Sequence, residues 1–316
     1  MSFKILGTGS CLPKKSVSNE ELSQFLDTSD EWITQRVGIT ERRISTTETT
    51  AQLALGAATA ALEMSGVKPC ELDMILCATV SADFAAPSLA CSLQELIGAT
   101  CPAMDVNAAC SGFIYALETA AAFFKLGYKK ILMVGAERLS RVVDWTDRST
   151  AVIFADGAGA LVLEPGDSYI SSKLVAKGGD SVLCIPSYRG ESPFYEVETK
   201  PPYVHMSGQE VYKFAVNAMC NDLEDVIADA GLSMEDIAWV IPHQANARII
   251  DAASRKLNIP PERCCKNIEK TGNTSAASVA ILLDELCRSG KLKEGDYIAM
   301  SVFGAGLTSA ACVIRW

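Results

Sequence analysis

Residues 102–126, PAMDVNAACSGFIYALETAAAFFKL, contain the pattern from which the architecture follows. Residues 102–106 form a short apolar run that predicts a buried strand, and residues 111–126 predict a helix. Because this helix is apolar on nearly every side, we expect it at the centre of the protein. Cys110 lies in the turn between the strand and the helix.

Apolar runs alternate with helical patterns on both sides of this segment. Strands are predicted at residues 73–79, 130–135, 239–241 and 297–302, and helices at 50–65, 88–97, 207–230, 246–257 and 275–289. The alternation predicts an α/β protein with a mostly parallel sheet covered by helices.

Two faint internal similarities indicate a duplication. DGAGALVL at residues 156–163 resembles FGAGLTSAACVI at 303–314, and NAACSG at 107–112 resembles GNTSAA at 272–277. We therefore divide the chain into two similar halves. The N-terminal half is expected at residues 1–168 and the C-terminal half at residues 169–316.

The composition limits the possible partners. The chain has 316 residues, of which 49% are hydrophobic and 7% are aromatic, which suits an α/β protein with a sizeable core. With 28 Lys and Arg against 38 Asp and Glu, the formal net charge is −10, so no nucleic-acid partner is expected. An acidic partner would need a local basic patch.

The cysteines and the chain start indicate the compartment. The twelve cysteines form no CxxC pair, and the opening MSFKILG has no apolar signal core. We expect reduced thiols, a cytoplasmic protein and no metal site. The uncharged residues 297–314 approach the length of a membrane span. Gly304 and Gly306 interrupt them, which predicts a strand, a turn and a strand, and no membrane contact.

Cys110 is the candidate nucleophile. A thiol in this turn faces the unpaired N–H groups and the positive dipole end of the following helix. Both favour the thiolate, which is the reactive form of cysteine. The small neighbours Ala108, Ala109, Ser111 and Gly112 leave room for a substrate. The alternative is a cysteine that only fills the core.

His243 and Asn273 are candidate partners of this cysteine. His243 follows the predicted strand 239–241, at the carboxyl end where open α/β sheets place their sites. Asn273 lies in the sequence TGNTS, just before a predicted helix. Taken alone, the histidine could be a structural, hydrogen-bonded residue and the asparagine a cap or turn residue.

Trp32 and Arg36 are one helical turn apart. Their helix is predicted to begin with a capping box formed by Thr28 and Glu31, and to end at Gly38. An indole and a guanidinium on one face can stack on a flat ring such as adenine. The alternative is a tryptophan that covers the core beside a solvated arginine.

A local basic set stands out on this acidic chain. Arg248 and Arg255 are seven residues apart and share one face of a predicted helix. Lys256 follows them, and Lys213 lies on another predicted helix. The set predicts a docking surface for an acidic partner, and the alternative is an ordinary solvated face.

These motifs together resemble the β-ketoacyl-[acyl carrier protein] synthase III family within the thiolase-like condensing enzymes. The resemblance covers the whole chain. Its motifs are NAACSGF (107–113), DR (147–148), FADGAGA (154–160), PHQANAR (242–248), GNTSAAS (272–278) and FGAG (303–306). It implies a thiolase-like duplicated fold, with two βαβαβ-type halves in a layered α-β-α-β-α arrangement. Thiolases use a second cysteine as base, so the order Cys, His, Asn separates this chain from them.

The resemblance implies an acyltransferase that starts fatty-acid synthesis. An acyl-CoA primer would condense with malonyl-[acyl carrier protein] to give β-ketoacyl-[acyl carrier protein], CoA and CO₂, without a metal or redox cofactor. Cys110 would carry the acyl group, and the backbone N–H groups of Cys110 and Ala305 would hold its oxyanion. His243 and Asn273 would bind the enolate oxygen. Family members commonly have glycine where Ala305 stands, and a backbone donor survives that change.

The resemblance also implies binding residues and a homodimer. The residues implied for coenzyme A are Trp32, Arg36, Arg148, Asn246 and Phe303. Those implied for docking of the acyl carrier protein are Lys213, Gln244, Arg248, Arg255 and Lys256. Ala86, in the segment ADFAAPS at 82–88, would close the primer pocket of the partner subunit. The family often has phenylalanine there, so we expect primers longer or more branched than acetyl to fit.

Three other interpretations compete. The nearest is a related condensing enzyme that makes a secondary metabolite from similar thioesters. A second is a catalytically inactive scaffold of the same fold. The third is a papain-like cysteine peptidase, whose triad order and cysteine-to-histidine spacing are similar. NAACSG lacks the aromatic residue expected directly after a papain-type cysteine.

Overall fold

The computed structural model describes residues 2–187, 193–194 and 201–316. The strands within these residues are β1 (Ser2–Cys11), β2 (Ser16–Ser18), β3 (Glu41–Arg43), β4 (Met74–Ala78), β5 (Ala103–Val106), β6 (Ile131–Arg138), β7 (Asp156–Gly166), β8 (Tyr169–Ala176), β9 (Leu183–Cys184), β10 (His205–Met206), β11 (Ile237–Pro242), β12 (Tyr297–Gly304) and β13 (Thr308–Arg315). The helices are α1 (Asn19–Leu22), α2 (Asp30–Val37), α3 (Thr50–Ser65), α4 (Leu89–Ile97), α5 (Gly112–Lys125), α6 (Arg148–Ala151), α7 (Gly208–Asp229), α8 (Ala247–Lys256), α9 (Ile268–Thr271) and α10 (Ser278–Arg288).

Two larger sheets form the framework. The first has the order β1-β7-β6-β4-β5, in which β4 runs parallel to β5 and β6 while β7 runs antiparallel to β1 and β6. The second has the order β11-β12-β13-β8, with a parallel pair between β11 and β12. The strands of the first sheet end at residue 166, and those of the second begin at residue 169.

Helices cover both faces of both sheets. The apolar α5 and α10 lie between the sheets, where Phe113 and Leu283 share one buried cluster with Leu76 of β4 and Met300 of β12. A second cluster joins α3 and α4 to the outer face of the first sheet. A third joins α7 and α8 to the outer face of the second. This confirms the predicted α-β-α-β-α layers and the central position of α5.

The uncharged segment 297–314 forms the antiparallel hairpin of β12 and β13, as predicted. Among the described residues, no helix is both long enough and apolar enough to cross a membrane. The predicted capping box of α2 is wrong by one position. The hydroxyl of Ser29, and not that of Thr28, accepts the N–H of Trp32.

Two glycines allow the loops before the central helices to meet the sheets. A Cβ at Gly135 of β6 would lie 2.6 Å from the carbonyl oxygen of Ala276, in the loop before α10. A Cβ at Gly304 of β12 would lie 2.7 Å from the nitrogen of Cys110, in the loop before α5. Because glycine has no side chain, both loops can pack directly against the strands at these two positions.

Candidate active site

Cys110, His243 and Asn273 line one pocket of about 670 Å³. They come from three separate segments, namely the loop before α5, the end of β11 and the loop before α10. The same pocket is lined by Trp32 and Phe303. The structure thus brings together the three reactive residues predicted from the sequence.

The Cys110 loop has a tightly constrained backbone. Ala109, the residue before the cysteine, has φ of +49°, a region that non-glycine residues rarely adopt. The hydroxyl of Thr308 lies 3.1 Å from the carbonyl oxygen of Ala108 and 2.9 Å from that of Ala305. It therefore ties the nucleophile loop to the turn that carries Ala305. Gly304, the residue before Ala305, lies against the backbone nitrogen of Cys110.

The surroundings of Cys110 act on the pKa of its thiol in both directions. Burial raises the pKa of Cys110 to about 12, although the Ser275 hydroxyl lowers it, and the buried carboxyl of Glu137 raises it further. The lost solvation of the charged form disfavours the thiolate. The prediction that the start of α5 favours the thiolate stays a prediction.

His243 is buried and held in one orientation. Its backbone N–H donates to the carbonyl oxygen of Ser301. Its ring packs edge to face against the ring of Phe303, with the two ring centroids 5.2 Å apart. Nδ1 lies 2.7 Å from the hydroxyl oxygen of Ser278, which also accepts the backbone N–H of Gln244. We assign the Ser278 proton to this bond, which leaves Nε2 protonated. Burial lowers the pKa of His243 to about 3, so the ring is neutral near pH 7.

Asn273 offers its amide nitrogen to the pocket. Its Oδ1 accepts the N–H of Ser275 at 2.8 Å. Its backbone N–H donates to the carbonyl of Ile153, and its own carbonyl accepts the N–H of Ala155. With Oδ1 engaged, the Nδ2 group is the part of the amide left to meet a ligand. Two neutral donors, His243 Nε2–H and Asn273 Nδ2–H, therefore belong to one pocket.

The pocket entrance carries an aromatic and cationic group. The guanidinium of Arg148 lies 5.1 Å from the ring centre of Trp32, and that of Arg36 lies 5.6 Å from it. Arg148 also forms an ion pair with the exposed Asp27 at 3.0 Å. Arg148 therefore lies beside Trp32 and Arg36, the pair that was suggested by its spacing in the sequence.

Asn246 and Phe303 also line the pocket. Asn246 caps α8 by accepting the N–H of Arg248, and its Nδ2 donates to the carbonyl of Arg36. This bond connects α8 to α2 at the entrance. Ala86, by contrast, is exposed and does not line the pocket of its own subunit.

The predicted docking residues divide into two groups. Arg248, Arg255 and Lys256 are exposed on α8, and Lys213 is exposed on the adjacent α7. Gln244 departs from the expectation because its side chain is fully buried. It donates to the carbonyl of Pro242 and accepts the N–H groups of residues 267 and 268, so it has no surface for a partner.

Two family models match parts of this chain. Residues 104–178 match the family model described as 3-oxoacyl-[acyl-carrier-protein] synthase III, and residues 227–316 match the model of its C-terminal part. The β-ketoacyl-[acyl-carrier-protein] synthase III of Clostridium acetobutylicum is 46% identical over 321 residues, covering 100% of this chain and 99% of that protein.

This chain belongs to the 3-oxoacyl-[acyl-carrier-protein] synthase III family. The crystal structure of the Aquifex aeolicus 3-oxoacyl-[acyl-carrier-protein] synthase III superposes with a TM-score of 0.93 at 44% identity, covering 100% of both chains. The priming β-ketosynthase of the R1128 polyketide pathway superposes with a TM-score of 0.92 at 36% identity, covering 99% of this chain and 96% of that one. Membership of this family over the whole chain excludes a papain-like peptidase.

Several residues that shape this synthase III pocket were missed by sequence reasoning. They are Ser275 and Ser278, which hold Asn273 and His243, Thr308, which joins two loops, and Glu137, which lies buried near Cys110. Both serines stand in the quoted motif GNTSAAS. Their place in that motif could have identified them from the sequence. Glu137 follows an apolar predicted strand, and nothing in the sequence marked it as part of the site.

Proposed function

We propose that the chain condenses an acyl-CoA primer with malonyl-[acyl carrier protein]. The products are β-ketoacyl-[acyl carrier protein], CoA and CO₂, and the reaction starts a fatty-acid chain. The observation that carries this proposal is the convergence of Cys110, His243 and Asn273 in one pocket. The chemistry balances without a metal or redox cofactor, because loss of CO₂ supplies the carbanion.

Acylation is the first half-reaction. The sulfur of Cys110 attacks the thioester carbonyl of the primer, and CoA leaves. The developing oxyanion is bound by the backbone N–H groups of Cys110 and Ala305, whose loops Thr308 holds together. A backbone donor serves this role with alanine as well as with glycine.

Decarboxylation is the second half-reaction. Loss of CO₂ from the malonyl group places negative charge on the thioester oxygen of the resulting enolate. Nε2–H of neutral His243 and Nδ2–H of Asn273 supply two donors for that oxygen. The carbanion then attacks acyl-Cys110, and the cysteine sulfur leaves as the new carbon–carbon bond forms.

Coenzyme A and the acyl carrier protein are proposed to bind different residues around the pocket entrance. The Trp32 ring with the Arg36 and Arg148 guanidiniums suits the adenine end of coenzyme A. The pantetheine arm passes Asn246 and Phe303 towards Cys110. The exposed cations on α7 and α8, namely Lys213, Arg248, Arg255 and Lys256, suit an acidic carrier protein despite the net charge of −10.

We also propose a homodimer formed through the edge of the first sheet. β5 is the edge strand of that sheet, and an unpaired edge is a template for a second chain. Large apolar side chains are exposed nearby, with Phe84 at 61%, Leu96 at 48% and Met104 at 36%. Ala86 lies in the same exposed segment as Phe84, which suits its proposed place in the pocket of the partner.

The cytoplasm is the proposed location. All twelve cysteines lie in the described part of the chain and are free, including the exposed Cys70 and Cys91. Free, exposed thiols fit a reducing compartment.

Radiolabelled acetyl-CoA tests the proposed reaction. With the protein alone, label should become bound to the protein, and free CoA should appear. Adding malonyl-[acyl carrier protein] should move the label to the carrier protein and release one CO₂ per transfer. Label that is only hydrolysed to acetate would contradict the proposal.

A condensing enzyme of secondary metabolism is the second candidate, favoured by the similarity to the R1128 priming β-ketosynthase. It predicts turnover with its own dedicated carrier protein and none with the carrier protein of fatty-acid synthesis. The same assay, run with both carrier proteins, separates the two candidates.

A further inference from the structure

Gln244 directly follows His243 in the chain and is fully buried, and neither half-reaction uses its side chain. Its Nε2 donates to the carbonyl oxygen of Pro242 at 2.7 Å and lies 3.4 Å from that of Cys265. Its Oε1 accepts the N–H groups of residues 267 and 268 at 3.1 and 3.2 Å. Carbonyls on one side of the amide and N–H groups on the other fix which end is oxygen. The side chain is therefore held in one orientation.

The Gln244 side chain extends a backbone connection between β11 and the segment before α9. In that connection, Val240 exchanges two backbone hydrogen bonds with residues 263–265, at 2.8 and 2.9 Å. Further along the same segment, Gln244 accepts the N–H groups of residues 267 and 268, where α9 begins. One buried side chain, next to His243, therefore joins the end of β11 to the start of α9.

The single turn of α9 continues this connection to Asn273. The side chain of its N-cap residue, Asn267, makes no capping bond, so Oε1 of Gln244 supplies an acceptor that the helix start lacks. At the other end, the N–H of Gly272 donates to the carbonyl of Ile268 at 3.0 Å. Gly272 has φ of +65°, and a Cβ there would lie 2.9 Å from a neighbouring side chain. The chain therefore turns tightly from α9 into Asn273.

The two donors proposed for decarboxylation lie at the two ends of this connection. His243 follows Pro242, whose carbonyl Gln244 binds, and Asn273 follows α9, whose start Gln244 binds. Both donors must reach a single enolate oxygen, so their relative placement determines whether two hydrogen bonds form.

Acylation does not depend on this connection. It uses Cys110 and the backbone N–H group of Ala305, which lie in the loop before α5 and in the turn after β12. Among the described residues, the side chain of Gln244 bonds to neither of these segments. The two half-reactions should therefore respond differently to the loss of Gln244.

We propose that Gln244 is a positioning residue for decarboxylation, which sets the place of Asn273 relative to His243. This inference rests on the proposed function, in which these two side chains bind the enolate oxygen. Because the amide is buried, it acts through the backbone groups that it binds and not through contact with the carrier protein. Loss of the amide should slow the release of CO₂ and spare both acylation and binding of the carrier protein.

Separate measurement of the two half-reactions in Gln244→Leu tests this role. CO₂ release from malonyl-[acyl carrier protein] is measured on protein that has first been acylated with acetyl-CoA. It should fall about 100-fold, since a misplacement of about 1 Å in an aligned group costs about that much in rate. Formation of acyl-Cys110, measured by intact mass, should stay close to wild type. KM for malonyl-[acyl carrier protein] should also stay close to wild type.

Gln244→Glu tests whether the acceptor atom carries the effect. Glutamate keeps an oxygen for the N–H groups of residues 267 and 268, so it should restore part of the CO₂ release lost in Gln244→Leu. If Gln244→Leu does not fold, Gln244→Glu should still show a lower ratio of CO₂ release to acylation than wild type. Thermal unfolding shows which variants are folded.

Gln94→Leu is the matched control. Nε2 of Gln94 donates to the carbonyl of Cys101 at 2.7 Å, and Gln94 does not line the pocket. This variant should keep the wild-type ratio of the two half-reactions.

Three results would overturn the positioning role. They are equal loss of both half-reactions in the folded Gln244 variants, wild-type CO₂ release in those variants, and a raised KM for malonyl-[acyl carrier protein] at an unchanged kcat. Wild-type protein that forms no acyl-Cys110, or releases no CO₂, would instead overturn the proposed function.

Discussion

The hydroxyl of Ser278 lies 2.7 Å from Nδ1 of His243. Three residues earlier in the same motif, the N–H of Ser275 binds Oδ1 of Asn273. One loop, GNTSAAS, therefore engages an acceptor atom on each of the two side chains, and leaves Nε2–H and Nδ2–H as the free donors. Both proposed contacts to the enolate oxygen depend on this loop.

Ser278→Ala should weaken decarboxylation selectively. Without the hydroxyl, the His243 proton is no longer confined to Nε2, and a hydrogen bond of about 1 kcal/mol is lost. CO₂ release from malonyl-[acyl carrier protein] should fall about fivefold, since about 1.4 kcal/mol corresponds to a factor of ten. Acylation by acetyl-CoA, measured by intact mass, should stay close to wild type.

Ser254→Ala is the control for this substitution. It also removes a buried hydroxyl, one that donates to the carbonyl of Ile259, and Ser254 does not line the pocket. It should lower thermal stability without changing the ratio of the two half-reactions. If Ser278→Ala behaves in the same way, the serine does not set the state of His243.

Trp32→Ala should impair coenzyme A thioesters through their adenine end. Loss of a stacked contact of about 1 kcal/mol should raise KM for acetyl-CoA roughly fivefold. Acetyl-pantetheine lacks adenine, so its kinetics should be unchanged. Steady-state assays with both substrates provide the comparison, and equal damage to both would place Trp32 in a general packing role.

Lys256→Glu should impair the carrier protein and spare coenzyme A thioesters. Lys256 is exposed on α8 and does not line the pocket. KM for malonyl-[acyl carrier protein] should rise about fivefold at low salt, which corresponds to about 1 kcal/mol, and less at high salt. Lys68→Glu makes the same charge change beside the first sheet and should have no such effect. A loss that ignores ionic strength would argue against docking by charge.

Local pattern was sufficient for most of the fold and for the reactive residues. α3 begins and ends where the periodicity predicts, α4 begins one residue later than predicted, and α5, α7 and α8 are one residue shorter than predicted at each end. The edge strand β1 and its partner β7 were not predicted, because their pairing joins segments about 160 residues apart. Such a register depends on tertiary contacts that no local window contains.

The electrostatics of the site were less predictable than its residues. A cysteine at a helix start suggests a lowered pKa, yet the enclosure of Cys110 by distant segments raises it. Gln244 reads as a surface residue beside His243, but it folds inward to serve three backbone groups. In both cases the deciding quantity is burial, which follows from the packing of β11, α8 and α10.

Ala86→Phe should narrow the range of primers in a homodimer. Ala86 leaves space that a longer acyl chain can fill, and each buried methylene contributes roughly 0.8 kcal/mol. The native protein should accept isobutyryl- and hexanoyl-CoA, and the variant should favour acetyl-CoA. Ratios of kcat/KM for the three primers measure this. Native specificity for acetyl-CoA that the substitution leaves unchanged would show that Phe84, or another part of the loop, fills the space.

The most direct measurement is the mass of the protein after treatment with acyl-CoA, followed by peptide mapping. The twelve cysteines provide an internal comparison, because the exposed Cys70 and Cys91 are more accessible than Cys110. One added acyl group, mapped to Cys110, absent in Cys110→Ala and discharged by malonyl-[acyl carrier protein], is the predicted result. Acylation of Cys110→Ala at the wild-type level, or an acyl group that malonyl-[acyl carrier protein] does not remove, would contradict the account.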